Sequence, residues 1–176
     1  LLQHTSGLPE YTDTVPGETD IFQVRDNYYS LRDLLDVALS KPAVFEPGSQ
    51  FRYTNTNYLV LSLLAEKVTH RPLAEQITQR IIEPLGLSHT YYPGPGEEDF
   101  RGTHPHGYHR NAPTDDWKDI THMDPSWGGG AGAMISTPSE LNKFFQATFD
   151  GTLLNQDSVA EMQKAVDTGG ALGNGY

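Results

Sequence analysis

The stretch Phe45-Glu46-Pro47-Gly48-Ser49-Gln50-Phe51-Arg52-Tyr53-Thr54-Asn55-Thr56-Asn57-Tyr58 runs straight into Leu59-Val60-Leu61-Ser62-Leu63-Leu64-Ala65-Glu66-Lys67-Val68. A Pro-Gly pair breaks the chain, and its most apolar run follows at once. Any fold must therefore bury a helix over Tyr58 to Val68 and hold Tyr53-Thr54-Asn55 at its N-terminal end. His70-Arg71 and Pro72 close that helix. Pro72 then suits the first position of the next, which extends to about Ile82.

Further elements follow from the same rules. Leu1-Leu2-Gln3-His4-Thr5-Ser6-Gly7 reads as the last turn of a helix, with Gly7 as its left-handed stop. Residues 9 to 29 lack a period and read as loop. Ser30 with Asp33 forms a capping box before Leu31, Leu34, Leu35, Ala38 and Leu39, and Pro42 stops that helix. Residues 84 to 126 are mostly loop, dense in Gly, Pro, His and Asp. Ala131 to Ser136 reads as a short buried strand or turn. Thr137-Pro138 opens a helix with Leu141, Phe144, Phe145 and Thr148 on one side, and Asp150-Gly151 turns the chain. Asp157 or Ser158 caps a last helix through Val166, and a strand can begin at Gly173-Asn174-Gly175-Tyr176. The chain is mainly α, with short strands.

Its 176 residues suit one domain, and with 36% hydrophobic residues, 17 Gly and 12 Pro it should pair long loops with a modest core. A formal charge of -11 repels nucleic acid. No run nears the roughly 18 apolar residues of a membrane span. The absence of cysteine removes disulfides, thiolate catalysis and zinc-thiolate sites. Leu1-Leu2 and the Gly-Asn-Gly-Tyr terminus both read as cuts, so a piece of a longer protein is expected.

Tyr53-x-Asn55 has two readings. In one, Asn55 caps the helix and the Tyr53 ring packs. In the other, the pair edges an active site. A tyrosine serves as a general base only if its pKa falls from about 10 toward neutrality, which an ammonium and a helix N-terminus both favour. Asn offers donors and an acceptor to a substrate amide. A nucleophile is missing: no serine has lysine three residues later, since Ser139 and Lys143 are four apart, and no Gly-x-Ser-x-Gly elbow occurs.

Three other features carry weaker signals. His4, within His-Thr-Ser-Gly, marks a helix terminus rather than a triad. His104, His106 and His109 can suggest zinc, but Pro105 and Gly107 interrupt them and no acid or cysteine sits at ligand spacing, so no metal is expected. Trp127-Gly128-Gly129-Gly130-Ala131-Gly132 reads either as a pocket wall or as a flexible turn before a buried segment. Asp167-Thr168-Gly169-Gly170 mimics a Lys/His-Thr-Gly triplet but has an acid where a cation is required, and receives no catalytic role.

The order of the motifs is informative. Leu2-Gln3-His4-Thr5-Ser6-Gly7-Leu8-Pro9 is followed by Phe45-Glu46-Pro47-Gly48 to Tyr58, then Pro84-Leu85-Gly86-Leu87, then Gly102-Thr103-His104 with Gly107-Tyr108, then Ala131-Gly132-Ala133-Met134-Ile135-Ser136-Thr137. The series resembles the serine β-lactamase-like family, most closely the secreted D-alanyl-D-alanine carboxypeptidases of actinobacterial type. The resemblance implies that residues 1–176 are the central, mostly helical part of an α/β β-lactamase-like domain, truncated at both ends.

The resemblance also implies roles. Tyr53 becomes the catalytic proton relay, and Asn55 binds the substrate amide and helps orient a lysine. Trp127 becomes a substrate-binding aromatic at the cleft rim. Thr54 replaces a frequent serine without consequence, Asn57 is scaffold, and the histidine run is a surface loop. The family's Ser-x-x-Lys element would lie upstream and its His/Lys-Thr-Gly element downstream, so the isolated segment is expected to be inert. The implied partners are D-Ala-D-Ala-like peptides or β-lactams, with no cofactor, in an extracytoplasmic or secreted protein of the peptidoglycan cell wall. Esterase, D-aminopeptidase, β-lactamase and non-catalytic binding protein remain the alternatives.

Overall fold

Ser30 Oγ accepts the amide of Asp33 at 3.1 Å, and Asp33 Oδ2 accepts the amide of Ser30 at 3.0 Å. This reciprocal box starts helix α2 (Leu31–Leu39), the second helix of a computed structural model that describes residues 1–17 and 20–170. Leu34, Leu35 and Ala38 of α2 are buried, and α2 packs on α3 (Thr56–Thr69). Leu34, Ala38, Leu59 and Tyr11 form the first core cluster. His70, in the left-handed region at φ 55°, ends α3. Pro72 stands one position before α4 (Leu73–Ile77) rather than inside it, and accepts the amide of Gln76 at 3.1 Å.

Beyond α4 the helix widens into a π-helical turn at Thr78–Ile82 and closes as α5 (Glu83–Leu85), with Gly86 left-handed at φ 58°. Ile82, Leu85, Leu87 and Ala147 make a second core cluster against α7 (Pro138–Phe149). On α7 the inward face is Phe144, Ala147 and Thr148. Leu141 and Phe145, expected on that face, are 46% and 53% exposed. The last helix, α8 (Gln156–Met162), is capped by Asn155, whose Oδ1 accepts the amide of Ser158 at 2.8 Å. Asp157 and Ser158 therefore lie inside the helix, which ends before Val166. Asp167 accepts the amide of Gly169 in a turn. The strand expected over 173–176 falls outside the described residues.

Two segments read as loop contain short ordered pieces. Residues 9 to 29 include a 3-10 turn at Tyr11–Asp13 and α1 (Ile21–Val24), capped by Asp20. The long stretch after α5 carries an antiparallel pair, β1 (Tyr108–His109) and β2 (Lys118–Asp119), with Tyr108 opposite Asp119. At the other end, the Leu1–Gly7 turn is stopped by His4 at φ 51°, not by Gly7. Gly7 is also left-handed, and a Cβ there would lie 2.1 Å from the Phe45 carbonyl oxygen.

The glycine run is a packing seam, not a flexible turn. It forms a 3-10 turn at Pro125–Gly128 and then α6 (Gly129–Gly132), laid against α3. A Cβ on Gly130 would fall 1.8 Å from Ser62 Oγ, and one on Gly129 would fall 2.4 Å from Leu59 Cδ2. Beyond α6, Ile135 bridges Tyr91 in antiparallel fashion, which is all the strand that Ala131–Ser136 provides.

Candidate active site

Tyr53-Thr54-Asn55 leads into α3, and the capping reading of Asn55 fails there. Asn55 has helical torsions, φ -61° and ψ -27°, and its side chain makes no capping bond. Thr54 Oγ1 takes the amide of Thr56 at 3.2 Å instead, and Glu10 Oε2 takes the amide of Asn55 at 2.7 Å. The Asn55 side chain is used otherwise. Its Oδ1 accepts from the Tyr53 hydroxyl at 3.1 Å, and its Nδ2 donates to Glu10 Oε2 at 3.1 Å. Nδ2 carries a second hydrogen, which is what Asn55 can offer a substrate carbonyl.

Tyr53 is 52% exposed, and His4 lies stacked on it with ring centroids 4.4 Å apart. His4 itself is fully buried. Its Nδ1 meets the Thr54 amide at 3.3 Å and Asn57 Nδ2 at 3.0 Å. A backbone N–H can only donate, so Nδ1 is the bare nitrogen and the imidazole is neutral. Burial accordingly lowers its pKa below 6.5. Asn57, also buried, accepts from Ser6 Oγ at 2.6 Å, and that same Oγ accepts the amide of Leu8. His4, Ser6 and Asn57 are thus a hydrogen-bonded floor beneath Tyr53. A sealed histidine of this kind is no base for a solvent-side reaction.

Tyr11 is the contrasting tyrosine. It is 1% exposed, and burial, with Glu10 close by, raises its pKa far above the usual phenol value. Its amide donates to Thr56 Oγ1 at 3.2 Å, and its hydroxyl donates to the carbonyls of Trp127 at 2.9 Å and Gly128 at 3.2 Å. Tyr11 therefore joins the start of α3 to the tryptophan turn as a permanent donor. Trp127 lines a cavity of about 340 Å3 with Tyr91, Phe100, Ile120, Met123 and Ile135, and Tyr53 and Asn55 are not part of that wall. The structure brings Tyr53 and Asn55 into direct contact; Trp127 lies apart from them, its carbonyl bonded to Tyr11, whose amide donates to Thr56 at the start of α3.

Glu10 and Tyr11 were not legible as site residues. The run Leu2 to Pro9 stops one residue short of Glu10, and nothing local indicates that positions 45 apart will meet. In the histidine loop, His106 Nδ1 pairs with Asp119 Oδ2 at 2.8 Å across the β1–β2 hairpin. Hydrogen bonds from Thr121 and then from His106 hold the Asp119 carboxyl below the usual carboxylate range. Among the described residues no group of three or more His, Cys, Asp or Glu could hold a metal ion, and no helix is long and apolar enough to cross a membrane.

Over residues 1–176 the sequence matches the protein family described as Beta-lactamase. The structure resembles that of a D-stereospecific amidohydrolase from Streptomyces sp., with a TM-score of 0.85 at 32% identity, covering 94% of this chain and 50% of that one. The D-amino acid amidase of Ochrobactrum anthropi SV3 follows at TM-score 0.73 and 27% identity, covering 94% and 46%. Penicillin-binding protein 4* of Bacillus subtilis (strain 168) is 32% identical over 92 residues, 51% of this chain and 20% of its own length. The chain thus spans about half of those two structures and a smaller share of that curated relative. A match along its whole length and a shared helical architecture agree: the chain belongs to the beta-lactamase family of serine hydrolases.

Proposed function

We propose that these residues are one wall of the active site of a serine hydrolase that cleaves an amide through an acyl-enzyme, as a D-alanyl-D-alanine carboxypeptidase sensitive to penicillins. The observation that carries this reading is the Tyr53 hydroxyl held 3.1 Å from Asn55 Oδ1 on the open side of α3, over a buried polar floor. Tyr53 relays the proton from the attacking serine to the leaving amine, and Asn55 Nδ2 binds the substrate amide carbonyl. In this reading Trp127 supplies the substrate-binding aromatic at the cleft rim. No Ser-x-x-Lys occurs in the 176 residues, so this reading requires a serine and lysine from outside them. An extracytoplasmic location, where peptidoglycan lies, follows from the same reading.

A second reading has its own support. The names of the two structures above specify D-stereospecific and D-amino acid amide substrates, so a D-amino acid amidase is the rival within the family. The discriminating experiment uses the complete protein. Benzylpenicillin should add its mass to the protein, and a D-Ala-D-Ala peptide should be turned over faster than D-phenylalanine amide. The reverse preference selects the amidase. Tyr53→Phe should lower turnover by about 10²–10⁴-fold with the circular dichroism spectrum unchanged. Turnover near wild type removes Tyr53 from the mechanism. The 176-residue chain alone should take up no penicillin.

A further inference from the structure

Tyr53 is held through its neighbours in the chain. Arg52, just before it, donates its backbone N–H to the His4 carbonyl at 2.9 Å, and Thr54, just after it, donates its own to His4 Nδ1 at 3.3 Å. Between those two bonds the Tyr53 ring stacks on the His4 imidazole, 4.4 Å between centroids and 29° between planes. A single residue thus meets three consecutive residues of the loop. His4 is itself fixed. It is fully buried, its N–H donates to the Leu1 carbonyl at 3.0 Å, and Asn57 Nδ2 reaches the same Nδ1 at 3.0 Å. The rings of Phe51 and Tyr58 lie 6.1 and 5.7 Å from its own. Its backbone is left-handed, at φ 51°.

We infer that His4 is a positioning residue for the reaction proposed above: by holding the peptide units on both sides of Tyr53 it sets where the phenol stands in the cleft. The inference rests on the catalytic reading of Tyr53, although the grip of His4 on the loop stands by itself. Tyr53 is 52% exposed, so its ring takes its place chiefly from the backbone that carries it and the imidazole beneath it. A displacement of about 1 Å is enough to cost about 10²-fold in rate. Two amides separate this role from packing. Asparagine puts its Oδ1 where Nδ1 lies, can take the Thr54 N–H, and suits a left-handed backbone. Glutamine fills more of the imidazole's volume, but its oxygen lies one bond further out, and the Thr54 N–H loses its acceptor. Packing alone favours glutamine at position 4; a hold on Thr54 favours asparagine.

The test compares the two variants in the complete protein, with the faster of the D-Ala-D-Ala peptide and D-phenylalanine amide as substrate. His4→Asn should keep kcat within about threefold of wild type, and His4→Gln should lower it at least about tenfold, with KM within about two-fold in both. Equal kcat values, or His4→Gln the faster, overturn the inference. If His4→Gln does not fold, His4→Asn still decides, since a loss in kcat beyond about tenfold overturns it. In a Tyr53→Phe background, where no hydroxyl remains to be placed, the two His4 variants should differ by less than about two-fold. The same gap in both backgrounds also overturns it. An arm independent of activity follows hydrogen exchange at the Thr54 amide. Exchange should stay slow in His4→Asn and quicken in His4→Gln, and equal rates overturn the inference. If Tyr53→Phe retains full turnover while Thr54 exchange separates the two variants, the catalytic reading of Tyr53 fails and the grip of His4 on the loop survives.

Discussion

His4 stacks on Tyr53, 4.4 Å between ring centroids, while its Nδ1 takes the backbone N–H of Thr54. The ring that supports the exposed tyrosine is therefore also bonded to the next residue of the same loop. Protonating Nδ1 would turn an acceptor into a donor facing two donors, Thr54 N and Asn57 Nδ2.

This arrangement sets a pH dependence of stability. Burial lowers the folded-state pKa of His4 below its value of 6.5 in the unfolded chain. Below that value the unfolded chain binds the proton first, so acid favours unfolding. The contribution of neutral His4 is complete above pH 6.5 and is lost as pH falls toward the lowered folded-state value. Wild type should lose at most about 1.4 kcal/mol per pH unit from this group, and His4→Gln should lose none from that position. Chemical denaturation of both proteins from pH 8 to pH 5 checks it; parallel curves would refute it.

Asn57 should prove structural and not chemical. It is fully buried, donates to His4 and accepts from Ser6 Oγ at 2.6 Å. Asn57→Ala removes both bonds, while His4 keeps the Thr54 amide and Ser6 Oγ keeps the Leu8 amide, so a loss of about 1–3 kcal/mol in all is expected. A fall in melting temperature is expected, with KM for any substrate still turned over close to wild type. A variant of unchanged melting temperature would mean that the floor beneath Tyr53 does not need Asn57.

Gly130→Ala should loosen α6 from α3. The added carbon would sit 1.8 Å from Ser62 Oγ and 3.0 Å from the Tyr58 carbonyl, and only the first can swing away. Overpacking of this kind costs about 1–3 kcal/mol. Gly132→Ala is the control, because a Cβ there meets nothing within 4 Å. Equal melting temperatures for the two variants would deny the close seam.

What the sequence disclosed here depended on the range of the interaction. The Ser30–Asp33 box, α3 and the Thr137–Pro138 start are written in neighbouring residues, and they were legible. So was the pairing of Tyr53 with Asn55 as a feature of α3's threshold. The actual donors and acceptors at that threshold were not. Asn55 looks like a cap, but a carboxylate from 45 positions away takes its amide, and Thr54 does the capping. The glycine run looked pliant because composition reports freedom and not proximity. It is tight because Leu59 and Ser62 of α3 leave no room for a side chain. At α8 a neighbour misled: Asn155, rather than Asp157 or Ser158, reaches the exposed amides.

Tyr11 spans from Thr56 Oγ1 at its amide to the carbonyls of Trp127 and Gly128 at its hydroxyl. Its length is covalent, so the loop bearing Asn55 and the turn bearing Trp127 are held at a fixed gauge by a rigid strut. Two segments tied in this way shift together or not at all, so a disturbance at either end of the strut is felt at the other.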